Sequence, residues 1–249
     1  MQGRFILDGV VILHETIHEL HKKNLDGIVF KIDFEKAYDK VKWPFLIQTL
    51  RMKGFSAKWC SWVESIVKGG SVGIKVNDDL GSFFQTQKGL RQGDPMSPIL
   101  FNIVGDMLAI FISRAKEAGL LSGIVPHLID DGLSILQYAD DTILFLNNDL
   151  EQAKNLKLIL CVFEQLSGLK INFHKSELFC FGAAKAVESQ FTQLFGCEVG
   201  AFPFRYLGIP IHFKKLRNSD WKWVEDRIEK KLSCWKGKKY VCGGTVRTY

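Results

Sequence analysis

Two adjacent carboxylates, Asp140 and Asp141, stand between two short runs of strand-forming residues, Leu133-Ser-Ile-Leu-Gln-Tyr138 and Thr142-Ile-Leu-Phe-Leu146. The pattern predicts a β-hairpin that presents a pair of acids at its turn. Acids are disfavoured in strands and costly beside a core unless positive charge compensates them. Mg²⁺, a hard cation that takes oxygen ligands, is the natural compensation. An ordinary polar Asp-Asp turn is the plainer reading of the same pair. A third acid, Asp33, ends the β-rich run Gly27-Ile-Val-Phe-Lys-Ile-Asp-Phe34. Carboxylates at the C-terminal ends of central strands sit where α/β arrangements gather their ligands.

Two other stretches could do chemistry. His14-Glu15-Thr16-Ile17-His18 matches H-E-x-x-H, which on a helix offers two imidazoles to zinc from one face, as in a zinc hydrolase. Glu35 and Asp39 could add a ligand. Against this, Glu19 places a charge directly after the second histidine, where such helices are buried beneath the metal, and Glu35 follows a strand, not a second helix. The loop Lys88-Gly-Leu-Arg-Gln-Gly-Asp-Pro-Met-Ser-Pro98 precedes a long apolar helix. It could hold phosphate or a flat ring, or be an ordinary loop before a proline-initiated helix.

The elements that must position these residues can be read from periodicity. Apolar residues at helical spacing predict a helix over 5–23, and a second is expected from about Pro44. A third, over Ala57–Lys68, carries Trp59, Trp62, Val63 and Ile66 on roughly one side, and its aromatics are expected in the core. Alternation of Val72, Ile74 and Val76, a turn at Asn77-Asp78-Asp79 and a return through Phe83–Thr86 predict a hairpin. Helices are expected over Ile99–Ala118 and Leu150–Leu166, the latter closed by Ser167-Gly168. Short strands are expected near 177–181 and 204–211, and a helix over Asp220–Trp235.

Length, composition and charge bound the function. At 249 residues the chain can bury a sizeable core. Six cysteines without Cys-x-x-Cys spacing read as reduced thiols, which suggests an intracellular setting, cytoplasm or nucleus. Met1-Gln2-Gly3-Arg4 opens no signal peptide, and no membrane partner is expected because no apolar run reads as a bilayer span. The charge is uneven. Residues 214–249 hold 11 Lys/Arg against 4 Asp/Glu, a net of +7, whereas the whole chain is +6, leaving −1 for residues 1–213. Such a basic segment suits phosphate backbones, although a solvated helix face reads the same.

Taken in order, these stretches resemble the reverse transcriptase domain of non-long-terminal-repeat (LINE-type) retrotransposons. Asp33-Phe-Glu-Lys-Ala-Tyr-Asp-Lys-Val41 resembles motif A, Lys88–Phe101 motif B, and Tyr138-Ala-Asp-Asp141 motif C. Gly168-Leu-Lys-Ile-Asn-Phe-His-Lys-Ser-Glu177 resembles motif D, and Arg205-Tyr-Leu-Gly208 the primer grip. The resemblance implies an RNA-directed DNA polymerase acting on an RNA template, a DNA primer and a dNTP. Two Mg²⁺ ions, or Mn²⁺, would be held by Asp33, Asp140, Asp141 and the Phe34 carbonyl. Lys175 would protonate pyrophosphate, and Tyr38 would act as a steric gate against the ribose 2′-OH. Arg91, Gln92 and Gly93 would lie by nucleotide and template, and Tyr206, Leu207 and Gly208 would grip the primer.

The expected fold is α+β: a palm over residues 1–211 with a residual fingers or palm helix at 1–26. Its central antiparallel sheet is backed on one face by the 99–118 and 150–167 helices. A basic start of a thumb follows over 212–249. The resemblance places most of the fingers before the first residue and ends the thumb after one helix. A fragment inactive alone, or a palm remnant that only binds nucleic acid, are therefore expectations alongside the enzyme.

Overall fold

The structure, a computed structural model, describes residues 5–236. Residues 1–4 and 237–249, the latter the end of the expected thumb, lie outside the described residues.

Helix α1 (Ile6–Lys22) leads into strand β1 (Gly27–Ile32). A single helical turn, α2 (Ala37–Lys40), precedes α3 (Trp43–Met52), which has Pro44 in its first turn. Helix α4 (Ala57–Lys68) starts at Ser56, whose hydroxyl accepts the Trp59 N–H. An exposed arm follows, made of strands β2 (Ser71–Val72), β3 (Lys75–Val76), β4 (Asp79–Leu80) and β5 (Phe84–Gln85). In it β2 pairs with β5 and β3 with β4, as the alternation requires. Helix α5 (Ser97–Glu117) then reaches the hairpin of β6 (Ile135–Tyr138) and β7 (Asp141–Leu146). The remaining elements are α6 (Leu150–Ser167), β8 (Glu177–Phe181), α7 (Glu188–Phe195), β9 (Glu198–Val199), β10 (Phe204–Tyr206), β11 (Ile209–Ile211) and α8 (Asn218–Lys236).

The central sheet has the order β6-β7-β1-β8-β9. Its four main strands are antiparallel, so β1 lies between β7 and β8. The short β9 runs parallel to β8 because α7 carries the chain back across the sheet, so the sheet is mixed at that edge.

Strand β1 explains its own unbroken apolar run, since both of its faces are covered. Ile28, Phe30 and Ile32 join the core under α3, α5 and α6, with Leu46, Phe101, Leu108, Leu156 and Phe163. Val29 points the other way, into a second core with Leu13, Ile17, Ile143, Phe145, Phe179 and Tyr206. The face left open in the sequence reading is thus covered by α1 and the β10–β11 hairpin.

Two expectations need correction. Helix α5, with a mean hydropathy of 1.5 over its most apolar window, is long and apolar enough to cross a membrane. Its hydropathy has a local reason: Leu100, Phe101, Val104, Met107, Leu108 and Ile112 are buried in the core. On α4 the buried side chains are Cys60 and Val63, whereas Trp59, Trp62 and Ile66 are exposed. The tryptophans are therefore not core. Trp59 stacks with Phe55 at 6.3 Å, and the Lys58 ammonium lies 5.1 Å from the Trp62 ring centre.

Candidate active site

The sheet register brings the acids together. Ile32 pairs with Thr142 in the antiparallel β1–β7 ladder, so the next residues outward, Asp33 and Asp141, leave the same edge side by side. Tyr138 pairs with Asp141 across the hairpin, which leaves Ala139, with φ +53°, and Asp140 as its two-residue turn.

Asp33 is held from the other side by the 170–176 turn. Its N–H donates to Ser176 Oγ at 3.1 Å, and its carbonyl accepts the Asn172 N–H at 2.8 Å. Phe34 bridges Ile171, and the Glu35 N–H donates to the Lys170 carbonyl at 2.8 Å. Ser176, itself buried, donates to the Asn172 carbonyl at 2.8 Å. Gly168 begins this connection. It takes the left-handed φ of +80° that closes α6, and a Cβ there would meet the Lys40 carbonyl.

The electrostatics show a place short of positive charge. Asp33 and Asp141 are open to solvent on one side, yet the sheet behind them removes water and pushes both carboxyls above the ordinary aspartate range. The Asp140 charge raises both further, while Lys31 opposes it at both and Lys175 opposes it at Asp33. Hard oxygen donors that repel one another at a strand edge fit a divalent cation in chemistry and in charge. Among the described residues, no three His, Cys, Asp or Glu side chains already converge on one metal position.

Beside Asp33 opens a cleft of about 390 Å³. Phe34, Glu35 and Asn172 line it, with three lysines, Lys36, Lys40 and Lys175. Glu35 is partly neutralised by Lys170 at 3.7 Å, so the cleft is cationic around its acid. Lys36 and Lys40 escaped the sequence reading, because a short loop carries no periodicity to mark them. Their signal was available, since three lysines (Lys36, Lys40, Lys42) follow Asp33 within nine residues.

The other candidate residues fall into two groups. Tyr38 belongs with the acids: its ring stacks on Phe101 at 4.6 Å and 12°, and burial together with the Asp140 charge raises its hydroxyl pKa. Its carbonyl accepts the Leu90 N–H at 2.7 Å, which ties the 88–98 loop to α2. Gln92 and Gly93 are exposed on that loop, and the Arg91 guanidinium lies next to Gly70. Tyr206 is buried beneath Asp141, its hydroxyl pushed up to about 12 by burial and by that carboxylate. It is a support, not a contact surface. Leu207 and Gly208, with φ +51° and +81°, form the β10–β11 turn, and Gly208 faces Trp223 of α8.

The H-E-x-x-H stretch does not assemble a site. Glu19 bonds His127 at 2.8 Å and also pairs with Lys23, His18 is exposed, and no third ligand joins the histidines among the described residues. The zinc reading is withdrawn for want of ligands.

Paired acids on a hairpin turn, a third on the adjacent strand end and helices packed behind the sheet define a polymerase palm. The family model described as reverse transcriptase (RNA-dependent DNA polymerase) matches residues 2–211, and the chain belongs to that family. Among curated proteins it is 27% identical over 220 residues to a Pol polyprotein from the type-2 retrotransposable element R2DM of Drosophila melanogaster. That match covers 87% of this chain and 19% of the relative. It is also 27% identical over 185 residues to the transposon TX1 149 kDa protein of Xenopus laevis, covering 74% of this chain and 14% of that protein. The chain thus spans less than a fifth of either relative. These are non-long-terminal-repeat elements, the class that the motifs resemble. The fold is shared with telomerase from Candida tropicalis, solved with a fragment of telomeric RNA. The TM-score is 0.56 at 13% identity, over 91% of this chain and 37% of that one. Members of the reverse transcriptase family generally use divalent metal ions.

Proposed function

We propose that this domain extends a DNA primer on an RNA template by nucleotidyl transfer from a dNTP, with Asp33, Asp140 and Asp141 as the metal-holding acids. The observation that supports this most is the β1–β7 register, which sets a strand-end acid beside a hairpin acid pair. Two divalent cations held there would polarise the phosphoryl oxygens and stabilise the attacking and leaving oxygens.

The chain's own residues do the rest by position and charge. The Phe34 carbonyl adds an oxygen next to Asp33. Lys36, Lys40 and Lys175 line the cleft that opens from Asp33 and suit the triphosphate. Of these, Lys175 also acts on the Asp33 charge, which supports a role for its ammonium in protonating departing pyrophosphate. Tyr38, braced by Phe101, would exclude a ribose 2′-OH. Gln92 and Gly93 meet nucleotide and template from the 88–98 loop, and the turn at Leu207-Gly208 guides the primer. The basic sequence of residues 214–249, net +7, supplies charge that phosphate backbones favour. The setting is intracellular, in keeping with free thiols at Cys60, Cys161, Cys180 and Cys197.

A second reading, a palm kept only to bind nucleic acid, is favoured by the net charge of +7 over residues 214–249. Primer extension on an RNA template with Mg²⁺ separates the two. The polymerase reading expects extension by the wild type and none by Asp140→Asn. Equal background from both, with oligonucleotide binding retained, would leave only the binding module.

A further inference from the structure

A second cleft, larger than the one at the acids, lies elsewhere among the described residues. It measures about 560 Å³, within the roughly 300–1,000 Å³ of ligand pockets, and lies between α3, the second half of α4 and the strand that returns through residues 85–87. None of the residues lining it belongs to the acid site.

Its lining has two chemistries. Gln48, Gln85 and Gln87 bring three primary amides, each with a donor and an acceptor side by side. Such groups pair with the edge of an unpaired base, where both kinds of atom are displayed. Arg51 and Lys68 flank them with positive charge. Glu64 also lines the cleft, but Lys68 holds it at 2.6 Å and, with Arg51, keeps its carboxyl below the ordinary range. Two cations and one acid leave a single excess positive charge, which matches one phosphodiester better than a free phosphate or an acidic peptide.

The floor connects this cleft to the 88–98 loop. Trp43 lines it and donates its indole N–H to the Gly89 carbonyl at 2.7 Å. Gly89 in turn donates to the Val41 carbonyl at 2.8 Å, beside the Leu90–Tyr38 bond. At the far end, a Cβ on Gly70 would lie 3.4 Å from the Arg91 guanidinium and 3.9 Å from the Thr86 hydroxyl. A base seated here therefore rests against the residues that fix the loop carrying Gln92 and Gly93.

We infer that this cleft binds one nucleotide of single-stranded nucleic acid outside the catalytic centre, reading its base through Gln48, Gln85 and Gln87. The inference rests on the nucleic-acid role proposed above but not on turnover. Its test is fluorescence polarisation of the full chain with labelled 12-mers of rA, rU, dA and dT, across a salt titration, with unfolding midpoints recorded for every variant. The double substitution Gln48→Ala/Gln87→Ala should weaken the preferred oligonucleotide roughly tenfold and flatten the preference among bases. Arg51→Ala should lower the salt slope by about one while leaving the preference intact. Binding is read without Mg²⁺ or dNTP, so a failure of the polymerase reading would show in primer extension and not here. Photo-crosslinking with 4-thiouridine oligonucleotides should label peptides that hold residues 43–51 or 85–87. Unchanged affinity and preference in the glutamine variant, or cross-links confined to other segments, would overturn the assignment.

Discussion

The Asp33 N–H donates to the buried hydroxyl of Ser176 at 3.1 Å, so the strand-end acid and the turn that bears Lys175 are one mechanical unit. Ser176→Ala removes this acceptor and the donor to the Asn172 carbonyl at once. The Asn172 carbonyl keeps the Lys175 and Ser176 N–H groups, so loss of the Asp33 partner should lower stability by about 0.5–1.5 kcal/mol, measured by denaturant unfolding. Incorporation should fall more than stability alone explains, because Asp33 and Lys175 would lose their common anchor. A variant with wild-type stability and wild-type turnover would show that the bond is incidental.

The acids should work against the metal-free fold. Asp33 and Asp141 have folded pKa values raised above the unfolded ones, so the native state binds more protons between the two values. Their contribution to stability is then highest below the ordinary aspartate pKa of about 3.9, declines as pH rises into the raised range, and then levels off. Asp140→Asn removes the charge that raises both neighbours. Without metal at neutral pH it should melt higher than the wild type, and the difference should shrink in acid. Adding Mg²⁺ should raise the wild-type melting point through linkage and leave the variant nearly unmoved. Thermal scans at pH 3.5 and pH 7, with and without Mg²⁺, measure this.

The lysines should separate binding from chemistry. Lys36→Ala with Lys40→Ala should raise KM for dNTP severalfold while kcat changes little, since both residues line the cleft beside Asp33 that would take the triphosphate. Lys175→Ala should lower kcat and flatten the alkaline limb of its pH profile. Steady-state kinetics over pH 6–10 would distinguish these. Equal effects on KM and kcat from all three substitutions would reduce them to one diffuse charge.

The brace behind Tyr38 should matter without touching substrate. Phe101→Leu deletes the ring stacked at 4.6 Å and frees Tyr38 to tilt. Discrimination between dNTP and rNTP should drop severalfold, measured as the ratio of kcat/KM values. A loss confined to stability, with the ratio kept, would mean that Tyr38 needs no support.

Much of the site could be read from the sequence because it contradicts its surroundings. Carboxylates in β-rich apolar runs, as at Asp33 and Asp140-Asp141, are conspicuous wherever local propensity is consistent. The strand pairing followed from the same runs. What could not be read was which way a periodic face turns. Trp59, Trp62 and Ile66 share a helix side, but periodicity does not say whether that side meets the core, and Cys60 and Val63 take it instead. The covering of the second sheet face by α1 depends on contacts between segments more than a hundred residues apart, such as Leu13 and Phe145. Lys36 and Lys40 needed the fold to bring Asn172 and Lys175 opposite them.

Single-turnover incorporation of one dNTP onto an RNA-templated DNA primer, with and without Mg²⁺, tests the central claim most directly. Wild-type protein should add the templated nucleotide only with the metal, and Asp33→Asn, Asp140→Asn and Asp141→Asn should each lose at least a hundredfold, about 2.7 kcal/mol of transition-state stabilisation. Metal-independent addition, or acid variants as fast as the wild type, would contradict the account.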